Sequence, residues 1–304
     1  MKYSVVIPAF NEAEVLPLSY PRLTKVMAPL GEYELIFVND GSRDDTLKLL
    51  KEYAAQDGHV KVVSFSRNFG HQEAVTAGMA KASGQAVIII DADLQDPPEV
   101  IPEMVEKWQA GADIVYGQRI RRKGDTMFKK ATAFLYYKLL KRLGGQFIPR
   151  NTGDFRLIDR KVCDTLNDMP ERNRFLRGMS AWSGFNAQPV RFVRDPRAAG
   201  QTRYSLRKMV KLGTDGITSF SNKPLKLPLY MGILTGLLSI VYLVAAIVLC
   251  ATGVWNSFHI IFAALFGFIS FVLVCLGIFG VYLGRVYDEA KARPVYIIDE
   301  EIGF

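Results

Sequence analysis

Three carboxylates stand within six residues, at Asp91, Asp93 and Asp96, in the run Ile88-Ile89-Ile90-Asp91-Ala92-Asp93-Leu94-Gln95-Asp96-Pro97-Pro98. Side chains alternate along an extended chain, so Asp91 and Asp93 are expected on one side of the segment. Acids held that close repel unless a cation or a donor-rich ligand lies between them. A hard divalent ion bridged to substrate phosphates answers that need. A solvated turn capping the next helix accounts for Asp96-Pro97-Pro98-Glu99 as well, and a D-x-D alone does not choose. The position of the motif favours the ion. Val87–Ile90 reads as a strand buried on both faces, as in a parallel sheet. Open α/β folds bind their ligands at the C-terminal edge of such strands.

The elements that must carry this loop are legible on either side of it. Strands are expected at residues 3–8, 34–39, 60–66, 87–90 and 112–117. Helices are expected to about Leu30, through Ala55, from Gly70 to Ala82 and from Pro98 to Ala110, with Ser42 or Asp44 capping the second. That alternation predicts a parallel, doubly wound α/β sheet. Four strand-end loops then converge on one crevice: Pro8-Ala9-Phe10-Asn11-Glu12, Asn39-Asp40-Gly41-Ser42, Ser66-Arg67-Asn68-Phe69-Gly70 and Asp91-Ala92-Asp93-Leu94-Gln95. Neither G-x-x-x-x-G-K-[ST] nor G-x-G-x-x-G occurs, which excludes an ATP-type P-loop and the dinucleotide fingerprint. An acidic pocket with a divalent ion suits a nucleotide diphosphate. His71 and Glu73, next to Asn68, read as helix-start residues.

The charge of the 304-residue chain is unevenly spread. Residues 1–118 carry 10 Lys/Arg against 17 Asp/Glu, residues 119–211 carry 23 against 7, and residues 212–304 carry 5 against 6. A basic middle beside an apolar end points to an anionic membrane surface or phosphorylated ligands rather than to DNA. Within it, Met127–Leu143 interleaves Phe128, Phe134, Leu135 and Tyr136 with Lys129, Lys130, Lys138 and Lys141, the pattern of an interfacial amphipathic helix. Between Lys226 and Arg285 there is no Asp, Glu, Lys or Arg. Leu229–Thr252 and Ile260–Gly284 each exceed the roughly 20 residues that a bilayer crossing takes, which predicts a two-helix transmembrane hairpin. Lys223, Lys226, Arg285, Lys291 and Arg293 flank it, placing both termini in the cytoplasm by the positive-inside rule. Met1-Lys2 leads directly into the first strand, so no signal peptide is expected. Cys163, Cys250 and Cys275 form no C-x-x-C, consistent with a reducing compartment. The expected divisions are 1–118, the α/β half that carries the acidic crevice; 119–225, the basic region with its amphipathic helix; 226–285, the hairpin; and 286–304, a cytoplasmic tail.

Taken together, Val5-Val6-Ile7-Pro8-Ala9-Phe10-Asn11-Glu12, Val38-Asn39-Asp40-Gly41-Ser42 and Asp91-Ala92-Asp93-Leu94-Gln95-Asp96-Pro97-Pro98-Glu99 resemble the family 2 glycosyltransferases with the GT-A type, Rossmann-like fold. Asn151-Thr152-Gly153-Asp154-Phe155-Arg156-Leu157, Gln201-Thr202-Arg203-Tyr204-Ser205 and the C-terminal anchor narrow the resemblance to polyprenyl-phosphate glycosyltransferases, the group of dolichyl-phosphate mannose synthase and the bactoprenol glucosyltransferases. The resemblance implies that Pro8, Phe10, Glu12 and Asp40 hold the base and ribose, and that Asp91 sits at the nucleotide-sugar side. It implies Asp93 and Gln95 as ligands of Mg²⁺ or Mn²⁺, and Asp154 and Arg156 facing the sugar and acceptor, with Asp154 either a base or an electrostatic stabiliser. Arg119, Arg203 and Ser205 would bind phosphate. Position 203 is Arg where many relatives carry Lys, and position 201 is Gln where Gly is common, which bears on geometry more than on role.

The implied activity is transfer of one hexose from a UDP- or GDP-sugar, foremost UDP-glucose or UDP-N-acetylglucosamine, to a polyprenyl phosphate such as undecaprenyl phosphate. Inversion at the anomeric carbon and a homo-oligomer are also implied, with mannose or a modified arabinose as other sugars. A processive polysaccharide synthase would need a Q-x-x-R-W motif, which is missing. A non-catalytic scaffold or sugar-lipid translocator would be expected to lose acids that are all present here.

Overall fold

A computed structural model describes residues 2–120, 152–194, 234 and 258–304. Five strands and four helices alternate first: β1 Tyr3–Ala9, α1 Leu16–Met27, β2 Tyr33–Asn39, α2 Thr46–Gln56, β3 Val60–Phe65, α3 His71–Lys81, β4 Ala86–Ile89, α4 Ile101–Gln109 and β5 Ile114–Arg119. Then follow β6 Thr152–Asp159, α5 Arg160–Asp168, α6 Leu176–Trp182, β7 Ala187–Phe192, α7 Phe258–Ala290 and β8 Ile298–Ile302. All eight strands form one sheet in the order β7-β5-β6-β4-β1-β2-β3-β8.

Burial on both faces explains the apolar strands. In β1 and β2, Val5, Ile7, Leu35 and Phe37 pack with Leu16, Leu23 and Met27 of α1, Leu50 of α2 and Met104 of α4. The intervening Val6, Ile36 and Val38 pack on the opposite face with Ala74, Ala77 and Met79 of α3, Cys163 of α5 and Met179 of α6. The strand period of two thus feeds two cores, one on each face. Gly78 lets α3 lie directly on the sheet, because a methyl there would be driven into Val6.

The expected sheet was parallel throughout, and here the structure corrects the sequence. β1 pairs in parallel with β2 and β4, and β2 with β3. However, β6 runs antiparallel to both β4 and β5, and β8 antiparallel to β3. The sheet is mixed, and it continues across the expected boundary at residue 118 through β6 and β7. A second correction concerns the acidic loop. Strand β4 ends at Ile89, residues 92–93 lie in a turn and Leu94 has a φ of 56°. Asp91 and Asp93 therefore do not alternate along extended chain as expected.

The first expected membrane span, 229–252, the amphipathic helix at 127–143, and Arg203 and Ser205 lie outside the described residues. The second span coincides with α7, a 33-residue helix that continues six residues past Gly284. Among the described residues no helix is long and apolar enough to cross a membrane. For α7 the description covers the backbone and only some of the side chains. Of those, Ile261, Leu265, Phe268, Leu276, Phe279 and Leu283 are exposed.

The tail beyond α7 was expected to be plain cytoplasmic chain, yet it returns to the sheet as β8, antiparallel to β3. Tyr296 stacks on Phe65 with ring centroids 5.1 Å apart, and Lys51–Glu300 and Lys81–Glu301 ion pairs close at 2.6 and 2.7 Å. The Arg172 backbone N–H donates to Glu289 at 2.9 Å, tying the end of α7 to the loop after α5. Exposed ion pairs contribute little, so the aromatic stack is the stronger clamp. Tyr296→Ala is expected to lower unfolding stability by about 1–2 kcal/mol. Urea denaturation measures that, and limited proteolysis should cut the variant first between residues 291 and 304.

Candidate active site

The site lies where the connections from β1 and β4 diverge, at the C-terminal ends of the parallel strands, the usual ligand crevice of an open α/β sheet. Its first wall is knitted from two loops. The Asn11 backbone N–H donates to Ser42 Oγ at 2.9 Å, the Arg43 N–H to Asn11 Oδ1 at 2.8 Å, and the Glu12 N–H to Thr46 Oγ1 at 2.9 Å. Asn11 holds a positive φ of 53° within this knot. Pro8 is buried in β1, while Phe10 and Glu12 are partly exposed at its mouth.

Asp40 is turned toward the third loop. Its carboxylate accepts from Asn68 Nδ2 at 2.7 Å, from the Phe69 N–H at 2.7 Å and from the Gly70 N–H at 3.0 Å. Burial pushes its carboxyl above the usual range, against these donors. Both oxygens are spent on the 68–70 loop, so Asp40 shapes the expected base-and-ribose wall from behind.

The acidic loop forms the floor. Asp93 is buried and its Oδ1 accepts from the Gln95 N–H at 3.1 Å. Asp91 Oδ1 is buried with no hydrogen-bond partner among the described residues. Burial raises the Asp91 carboxyl, and the neighbouring Asp154, Asp93 and Asp96 add to that against the pull of His71. Arg119, the expected phosphate ligand, forks onto buried Asp96 through Nε at 3.2 Å and Nη2 at 2.8 Å. Arg194 approaches the same carboxylate at 3.4 Å. Two guanidiniums on one carboxylate leave a net positive rim next to the acidic floor.

The opposite wall comes from β6. In its antiparallel register Ile89 faces Arg156, and Asp154, two residues before Arg156, comes close enough to Asp91 for the two charges to interact. Asp154 is buried and gripped: Arg177 Nε and Nη2 donate at 2.8 and 2.9 Å, and His71 Nε2 lies 3.2 Å away. Burial works against its charge, but the Arg177 charge and the His71 and Arg177 hydrogen bonds prevail and hold it well below the usual carboxylate range. His71 Nε2 is also 3.7 Å from Asp91 Oδ1. Burial opposes its protonation, yet the hydrogen bond to Asp154 and the Asp91 charge push it up to about 9. Arg156 is near Asp154 but does not reach the crevice. It is buried and donates to the Gly153, Asp154 and Leu176 carbonyls and to Ser180 Oγ at 2.7 Å. Burial lowers its guanidinium to about 10.

Asp91 and Asp154, both expected as site residues, are thus brought together. The link between them, His71, is the first residue of α3, as its helix-start reading has it, and it also points into the crevice. Arg177 was not foreseen from the sequence; only its place in the basic middle of the chain hinted at it.

A mixed α/β sheet with an acidic crevice at its topological switch is the arrangement of the GT-A type, Rossmann-like fold. The comparisons agree. A glycosyl transferase family 2 model matches residues 4–166. The chain is 50% identical to the uncharacterized glycosyltransferase YkcC of Bacillus subtilis over 100% of its own length and 95% of that protein. It is 41% identical to the bactoprenol glucosyl transferase of Shigella phage SfV over 99% of each chain. It is 40% identical to the prophage bactoprenol glucosyl transferase homolog of Escherichia coli K12 over 98% of each. Glucosyl-3-phosphoglycerate synthase of Mycobacterium tuberculosis, solved with Mn²⁺, UDP-glucose and phosphoglyceric acid, superposes with a TM-score of 0.52 at 22% identity, covering 72% of this chain and 78% of that one; this likeness is one of fold. The chain belongs to glycosyl transferase family 2, to the polyprenyl-phosphate glycosyltransferases within it, and it is a glycosyltransferase.

Proposed function

We propose that this enzyme transfers one glucose from UDP-glucose to a polyprenyl phosphate at a membrane surface, with inversion at the anomeric carbon. The observation that carries this is the near-full-length match to bactoprenol glucosyl transferases, joined to a crevice with acids on its floor and on its β6 wall. UDP-N-acetylglucosamine is the next donor in line. A lipid-phosphate oxygen attacks the anomeric carbon, the bond from that carbon to the UDP oxygen breaks, and UDP leaves.

No group of three or more His, Cys, Asp or Glu side chains among the described residues is gathered as a metal cluster, and what supports a divalent ion at the floor is the buried Asp91 oxygen that lacks a hydrogen-bond partner. Asp93 and Gln95 would hold the ion through side-chain oxygens. When bound, the ion would supply Lewis-acid neutralisation of the departing nucleoside diphosphate. Phe10 and Glu12 at the crevice mouth would meet the nucleotide. Arg119 and Arg194, with Arg203 and Ser205, would draw the acceptor phosphate toward the floor. That phosphate is largely dianionic at neutral pH, its second pKa being about 6 by analogy with phosphorylated side chains. It needs little base assistance. Asp154, ionised and clamped by Arg177, orients the sugar and offsets charge at the anomeric carbon rather than accepting a proton.

The apolar runs 229–252 and 260–284 would anchor the protein beside its lipid substrate, with the catalytic sheet and both termini cytoplasmic, and the basic helix at 127–143 would rest on the headgroups. The donor and metal part is tested with labelled UDP-glucose and undecaprenyl phosphate. Label extracted into the organic phase should fall by at least about 10²-fold with EDTA and with Asp93→Ala. Lipid product undiminished by both would remove the metal from the proposal.

A further inference from the structure

Among the described residues β3 would be an edge strand but for β8, which covers it in antiparallel register, Val62 facing Ile302 and Val63 facing Glu301. The pairing slips just before the third loop of the crevice. Ser64 faces Glu300 but Phe65 faces Ile298, so β8 carries one extra residue there. A bulge of this kind re-aims the side chains beside it. Past the slip the Ser66 N–H donates to the Ile297 carbonyl at 3.2 Å, so the tail stays joined to the loop itself. The side chains continue the same line. Tyr296 lies flat on Phe65, with ring centroids 5.1 Å apart and planes 11° from parallel. Phe65 meets Phe69 edge-on at 5.7 Å, and the Arg67 guanidinium sits 3.9 Å over the Phe69 ring. The Phe69 N–H is in turn a donor to Asp40, at 2.7 Å, and the Gly70 N–H follows at 3.0 Å.

We propose that Tyr296 is a positioning residue for the nucleotide wall: through Phe65 and Phe69 it holds the loop at residues 66–70 where its amides meet Asp40, so that the donor site is complete only while the C-terminal tail is docked. This rests on the reading of that wall as the nucleotide site given above. Covering the edge of β3 takes only the pairing of residues 62–64 with β8. The Tyr296 stack and the Ser66–Ile297 bond lie beyond that pairing, on the crevice side, and bear on the loop alone. Tyr296 and Phe69 also pack on the same core face of the sheet, which gives the ring stack a fixed base. Tyr296 follows Ala290, the last residue of α7, by six positions, and Glu289 is tied to the Arg172 N–H. Docking of the helix end and binding of the nucleotide are therefore linked, and the linkage is reciprocal.

The test compares the full-length protein in detergent with Tyr296→Ala, Tyr296→Phe and Tyr53→Ala, each well below its melting temperature. Tyr53 stacks on Tyr20 at 4.5 Å, far along α2 from the crevice, and its loss matches the general cost of removing a ring. Hydrogen exchange of the Phe69 and Gly70 amides and calorimetric titration with UDP are the readouts. In Tyr296→Ala both amides should exchange faster and the Kd for UDP should rise, each by about tenfold, the scale of one aromatic pair. In the transfer assay KM for the donor should rise with kcat unchanged, as when binding common to ground and transition states is lost. Tyr296→Phe keeps the ring and should restore all of these, while Tyr53→Ala should leave them at wild-type values. By reciprocity, saturating UDP should slow proteolysis between residues 291 and 304 in the wild type. Wild-type exchange at Phe69 and Gly70 in Tyr296→Ala, or equal effects in Tyr296→Ala and Tyr53→Ala, would overturn the proposal. Should the wild type bind no UDP, the nucleotide reading of the wall fails instead, and the amide exchange alone decides whether Tyr296 holds the loop.

Discussion

Asp154→Asn is expected to lower sugar transfer on the order of 10²–10³-fold while leaving the fold in place. The amide keeps the shape but loses the charge that Arg177 and His71 converge on. Arg177 then loses the carboxylate charge that its fork grips, beside buried Arg156, whose Nη2 is 3.8 Å from Asp154 Oδ1 in the native arrangement. Removing one partner of a buried pair costs about 3–5 kcal/mol. Arg177 keeps access to solvent, so the lower end of that range applies. The pH dependence has two limbs. Asp154 is depressed below its usual range, so its stabilisation is present above that range and is lost as pH falls through its folded value. His71 is raised, so its contribution is complete below about 6.5 and is lost as pH rises through about 9. In Asp154→Asn the alkaline limb should move down, because the first of the two groups raising His71 loses its charge. Thermal melts from pH 5 to 10 on both proteins check this.

Gly41→Ala is expected to be nearly as damaging, by a different route. Gly41 has a φ of 61°, which costs a Cβ-bearing residue about 1–2 kcal/mol. Worse, the new methyl would meet the backbone of the third loop, 2.6 Å from the Asn68 nitrogen and tighter still against the Arg67 carbonyl carbon. Neither contact is a flexible side-chain end. The loops must separate, which pulls Asp40 from the Phe69 and Gly70 N–H groups. Each buried group left unpaired costs about 1–3 kcal/mol. A total loss of about 3 kcal/mol or more follows, and UDP affinity should drop with it. Urea denaturation gives the first and calorimetric titration of UDP the second. Gly31→Ala serves as the control, since its φ is also positive but open space surrounds it.

Much of this was legible in the sequence for a simple physical reason. Strands buried on both faces leave uninterrupted apolar runs, and Val5–Ile7, Leu35–Val38 and Val87–Ile90 announced β1, β2 and β4 within a residue or two of their observed ends. The acidic loop was found because two aspartates directly after such a run are conspicuous. The antiparallel insertion of β6 was not visible, because strand direction depends on the path taken by residues 121–151. Without that direction, the approach of Asp91 and Asp154 to His71 from two different strands could not be seen. Residue type misled at Arg156, where a guanidinium two residues from a site acid suggested a substrate contact. Its hydrogen bonds to three carbonyls instead make it part of the support beneath β6 and α6. β8 was missed because its alternation, Ile298, Glu300 and Ile302 against Asp299 and Glu301, puts an acid on the inner side. Lys51 accounts for that acid.

The central claim is that a sugar is moved onto a lipid phosphate, and mass spectrometry of the lipid product tests it most directly. The full-length protein in detergent would be incubated with undecaprenyl phosphate, Mg²⁺ or Mn²⁺, and separate UDP- and GDP-sugars. A single new organic-phase species, of the mass of undecaprenyl phosphate plus one hexose and formed from UDP-glucose, is the predicted result. Tight UDP binding with no glycosylated lipid from any donor would contradict it and leave a nucleotide-binding membrane scaffold in its place.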